Sequence, residues 1–177
     1  MFLIIAIAKN LFLIILSISG GRINLALSKA IVCLDLIYVP AIIITMFFIY
    51  WRSDKHSYKA VINKIWLVIP IYILVFFLLK SKFNISFDFG YSVGFVRDGL
   101  FRIVNISLML VLMCIVVFSK SNSSTNNRGL AIILISIIVI VLENIAIVVL
   151  KNYLPYCLIS EFILLISLEY SLKTFKS

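Results

Sequence analysis

The stretch LAIILISIIVIVLENIAIVVL, residues 130–150, decides the class of fold. Its length matches the about 20 helical residues that cross ~30 Å of hydrocarbon. Only Glu143 and Asn144, side by side, break its apolar side chains apart from the small Ser136. A backbone amide left unpaired in lipid costs several kcal/mol, so such a run crosses as a helix; the even alternation of a membrane barrel is missing from it.

Further apolar runs lie on either side of it, at 2–19, 30–51, 65–79, 100–118 and 153–168. Lys9 and Asn10 interrupt the first, and the runs at 65–79 and 153–168 are short for a full crossing. The expectation is an all-α polytopic membrane helix bundle with five to six transmembrane helices, residues 1–177 forming one integral membrane domain. Composition agrees, because 64% of the chain is hydrophobic and only 13% charged, with mean hydropathy +1.21, whereas a soluble domain carries about 25% charge. Six glycines and three prolines leave no flexible linker to a second domain.

Sixteen Lys and Arg against seven Asp and Glu give a net charge of +9. In a membrane protein that excess faces cytoplasm and anionic lipid. No basic patch is interleaved with exposed aromatics, so no nucleic-acid partner is expected. Arg52, Lys55, Lys59 and Lys64 share one short loop, which favours cytoplasmic termini. Phe2–Ala8 is apolar where a secretory signal would be basic, so no such signal is expected. Cys33, Cys114 and Cys157 sit apart inside apolar runs and form no CxxC pair, which makes them small hydrophobes.

Two connections carry patterns of their own. Tyr58, Val61, Ile62, Ile65 and Trp66 recur at i, i+3, i+4, i+7 and i+8 beside Lys55, His56 and Lys59, the pattern of a basic amphipathic helix on the membrane surface. Phe83, Ile85, Phe87, Phe89, Tyr91, Val93 and Phe95 alternate strictly with small or polar residues. Period 2 predicts an extended strand or hairpin whose apolar face packs on helix ends.

Charges inside the runs are the candidates for function, since each costs about 2.5–3.5 kcal/mol at the bilayer centre. They are Lys9, Asp35, Glu143 and Glu161. Lys9 and Asp35 stand near the ends of their runs and are expected to snorkel to the interface. Glu143 and Glu161 are expected to meet a basic side chain or a partner helix, in preference to a proton relay. Asp98 and Arg102, four apart, form a polar opening to the run at 100–118. His56 has no second His or Cys at ligand spacing and Gly20-Gly21 opens no phosphate cradle, so no metal, no cofactor and no enzymatic activity are expected.

From Val61 to Thr125 the order of features resembles the transmembrane T component of energy-coupling factor (ECF) transporters, the vitamin and metal importers of prokaryotes. The stretches that carry it are INKIWLVIPIYILVFFLL at 62–79 and VGFVRDGLFRIVNISLMLVLMCIVVFSKSNSS at 93–124, with Lys64, Pro70, Asp98-Gly99-Leu100, Arg102 and Ser119 to Thr125 in the family's places. LKNYLPYCLISEFILL at 150–165 looks like the family's span with Pro followed by Glu, here Pro155 and Glu161. The resemblance implies a scaffold and coupling subunit of an ABC-family micronutrient importer in the prokaryotic cell membrane. Its partners would be cytoplasmic ATPase subunits and a small substrate-binding membrane subunit, met through Pro155, Glu161, Glu169 and Lys173. The family's Ala-Arg-Gly coupling motifs are missing from SLEYSLKTFKS, where Lys173 is the basic residue nearest their place. The alternative expectation is a membrane-embedded immunity or interaction protein that recognises a pore-forming peptide.

Overall fold

The computed structural model describes residues 2–19, 24–51, 69–86, 90–119, 127–150 and 156–176. Among these residues seven helical segments and one hairpin follow in chain order. They are α1 (Phe2–Ile18), α2 (Leu25–Cys33), α3 (Asp35–Trp51), α4 (Ile69–Leu78), β1 (Ser81–Ser86), β2 (Gly90–Phe95), α5 (Asp98–Ser119), α6 (Asn127–Val149) and α7 (Leu158–Lys176). The molecule is mostly helical, as expected. Among the described residues three helices are long and apolar enough to cross a membrane, Leu25–Tyr50, Asp98–Phe118 and Asn127–Val149; Ile4–Ile18 and Ile69–Leu78 are apolar but shorter.

α2 and α3 together make the first of those rods, with Leu34 between them as the cap of α2. Asn24 starts it, its side chain accepting the Ala26 amide at 2.8 Å in the manner of an N-cap. Pro40 lies inside α3 and has no N–H to offer the Leu36 carbonyl four residues back. Just ahead of it, the Leu34 amide reaches Ile31 O at 3.2 Å while the Ile37 and Tyr38 amides both return to Leu34 O at 2.9 Å.

The alternation at 83–95 folds as a hairpin with Phe83 opposite Val93 and Ile85 opposite Tyr91. Opposed residues share a face, and its part nearest the strand ends lies on helices as expected, while Ile85 stays exposed. Val93 and Phe95 are buried in one cluster with Leu16, Leu36, Val75 and Phe101. The Phe95 and Phe101 rings stack at 4.6 Å, which fixes β2 to the start of α5. Gly90 has φ +66°, and a Cβ there would lie 2.7 Å from the Ser17 carbonyl oxygen of α1. Only glycine meets both demands.

A second cluster joins α3, α5, α6 and α7 around Ile42, Met46, Met109, Ile133, Ile137 and Leu164. The Tyr50 ring of α3 occupies the space a side chain at Gly129 would need, so α3 and α6 approach closely there. Ser136 and Ser167 hydroxyls meet at 3.0 Å between α6 and α7. The outward faces of α1, α5 and α6 expose Ile7, Leu11, Ile103, Val111, Ile138 and Ile145, apolar side chains of the kind lipid covers.

One expected boundary is corrected. Of the run at 153–168, the described part is helical from Leu158, and α7 continues to Lys176, so Cys157 precedes the helix. The Cys157 carbonyl accepts the Glu161 amide at 3.3 Å. Tyr153 and the amphipathic segment at 55–66 lie outside the described residues.

Candidate functional site

The polar residues that interrupt the apolar runs gather in one place between the two clusters. Lys9, midway along α1, is 3% exposed. Its ammonium donates to Asp35 Oδ1 at 2.5 Å and to Glu161 Oε2 at 2.9 Å. The neighbouring Asn10 donates to Glu161 Oε1 at 3.2 Å and to the Ala6 carbonyl at 3.0 Å. Thus α1, the start of α3 and the first turn of α7 are tied by one cation and two carboxylates. The Lys9 ammonium also stands 5.5 Å from the centre of the Tyr38 ring, within reach of its π-face.

This corrects two expectations. Lys9 and Asp35 do not snorkel to the interface, because each finds an opposite charge inside the bundle; at low dielectric an internal partner outweighs the stretch towards water. Glu161 is not presented to a partner protein, since it is 5% exposed with both carboxylate oxygens bonded within the chain. The expectation that it meets a basic side chain holds, and Lys9 is that side chain.

Glu143 has a different task. Its Oε1 accepts the Ile159 amide at 3.1 Å and its Oε2 the Ser160 amide at 2.7 Å. These are amides of the first turn of α7, which have no carbonyl partner inside their own helix. A carboxylate from α6 thus caps α7, and its negative charge sits at the positive end of that helix dipole. Asn144, beside it, donates to Ile140 O at 2.8 Å and offers its Oδ1 to Arg102 and Asn105, at 3.4 and 3.5 Å.

Arg102 completes the group. The expected pair with Asp98 is present at 3.6 Å, but the guanidinium is buried and also reaches Cys157 Sγ at 3.3 Å. A cavity of about 10 Å³ between α3, α5, α6 and α7 is lined by Asp35, Asn105, Cys157, Ser160 and Glu161, a space for about one water. Among the described residues no three His, Cys, Asp or Glu side chains stand at metal-binding spacing.

The remaining candidates lie elsewhere. Glu169 and Lys173 pair at 2.7 Å on the far part of α7, with side chains 66% and 75% exposed, where a single pair contributes about 0–1 kcal/mol. Pro155 lies outside the described residues. Asn10, Asn105 and the long reach of Arg102 were not singled out by their charge or spacing. The signal that marks the two asparagines is simply an amide within an apolar run, which in lipid demands a partner.

No family model, no curated protein and no solved structure matches this chain.

Proposed function

We propose that the chain is a membrane scaffold, acting as the coupling subunit of an ECF-type micronutrient importer, with no catalysis of its own. In this reading α1, the α2–α3 rod, α4, α5, α6 and α7 furnish five to six crossings of a prokaryotic plasma membrane. The observation that carries it is the closed ionic core, in which Lys9 binds Asp35 and Glu161 from two other helices. Buried charges of this kind are costly and are kept where they fix how helices meet. Both oxygens of Glu161 and both of Glu143 are taken by fixed donors, and the adjoining cavity holds about 10 Å³. Such saturation suits a rigid body that passes on a partner's motion better than it suits a path for solute or protons.

The surface left for a cytoplasmic partner is the exposed far part of α7, with Glu169 and Lys173. The tagged chain, extracted from its native membrane in mild detergent, is expected to retain ATPase subunits and a small membrane subunit. The charge-reversed pair Glu169→Lys with Lys173→Glu should retain less of the ATPase than the unaltered chain does. Recovery of the unaltered chain alone, from membranes in which it is stably inserted, would overturn the reading.

A further inference from the structure

A groove of about 600 Å³ runs between α4 and α5 on the surface of the bundle, away from the ionic core. Leu78 of α4 and Val96, Leu100 and Val104 along α5 and its approach line it, with Lys80 and Arg97 at one end. The hairpin explains that end. The Val96 amide donates to the Lys80 carbonyl at 2.9 Å, extending the ladder one pair past Ser81 and Phe95. Lys80 and the residue next to Val96, Arg97, are thereby brought together at the hairpin base. α4 stops at Leu78 and α5 starts at Asp98, so both walls leave that base and run the same way into the apolar zone.

The resulting gradient is two cations at one end and only aliphatic side chains along the rest. Lys80, Arg97, Leu78 and Leu100 are all exposed, and among the described residues neither cation forms an ion pair. Asp98, the acid nearest to them in sequence, is turned to Arg102. A lone apolar groove would accept any acyl chain. The paired cations at its mouth select by charge, since each basic residue at a membrane surface favours an anionic headgroup.

We infer that this groove is a binding site for one anionic phospholipid, its phosphate between Lys80 and Arg97 and an acyl chain along Leu78, Leu100 and Val104. The site stands on geometry separate from the ionic core and does not depend on what the scaffold couples to.

The test is native mass spectrometry of the full chain, titrated in detergent with phosphatidylglycerol or phosphatidylcholine of matched chains. One phosphatidylglycerol is expected to survive activation at about tenfold lower lipid concentration than phosphatidylcholine needs. Lys80→Gln with Arg97→Gln should bring the two lipids to parity, while Lys173→Gln should leave the preference intact. Leu100→Trp, which fills the groove and keeps both charges, should weaken retention of both lipids. Equal retention of the two lipids by the unaltered chain, an undiminished preference in the double variant, or a dimer mass that excludes lipid would each overturn the assignment.

Discussion

Glu143 shows how a residue that is costly in lipid becomes a structural necessity. Its two oxygens hold the Ile159 and Ser160 amides, so Glu143→Leu leaves a helix start uncapped in a buried place. The expected loss is about 1–3 kcal/mol, while Glu143→Gln, which keeps one acceptor, should lose about 1 kcal/mol. Unfolding in mixed micelles with increasing denaturing detergent measures both; equal stability of all three proteins would show that α7 needs no cap from α6. At this scale the sequence disclosed which residues matter, because a charge in an apolar run stands out by its cost. It did not disclose partners. Lys9 and Glu161 are 152 residues apart, and nothing local in either run tells that the first helix meets the last. The nearness of Lys9 and Asp35 to the ends of their runs pointed to snorkelling, whereas an internal counter-charge satisfies both at once.

Among the elements, the hairpin was the most legible and the start of α7 the least. Period 2 over 83–95 needs only the alternation of side chains across a strand, whereas the register of Phe83 with Val93 emerges only with the structure. α7 is different because the cap that holds its first amides comes from another helix, which no local pattern around Leu158 discloses. The break between α2 and α3 at Leu34 emerges only with the hydrogen bonds around it. Gly90 offers the element-scale prediction. Gly90→Ala places a Cβ at a left-handed position against the Ser17 carbonyl, at an expected cost of about 1–3 kcal/mol. Its melting temperature should fall and chymotrypsin should cut within the hairpin sooner than in the unaltered chain. Unchanged cleavage would mean that α1 and the hairpin are not packed together.

As a whole molecule, the chain is two apolar clusters joined by a polar seam and surrounded by an outward apolar surface. Composition alone pointed to helices apolar enough to cross a membrane, because 13% charge leaves too little polar surface to face water. The arrangement of helices around α3 was not legible, since apolar runs of similar composition carry no label for their neighbours. Ile138 stands 44% exposed near the middle of α6, and Ile138→Asp there should cost about 2.5–3.5 kcal/mol of insertion free energy. An insertion assay that shows no change would place that face against protein or water.

The claim on which the rest depends is that Lys9 ties the first helix to the last through Glu161. A double-mutant cycle of Lys9→Met and Glu161→Gln, read by reversible unfolding in mixed micelles, tests it directly. Lys9→Met alone leaves Asp35 and Glu161 without their cation, an expected loss of about 3–5 kcal/mol. The double variant should lose clearly less than the sum of the singles, with a coupling of about 1–3 kcal/mol. Losses that add within about 0.5 kcal/mol would mean that the two side chains act independently, and would contradict an ionic core joining α1 to α7.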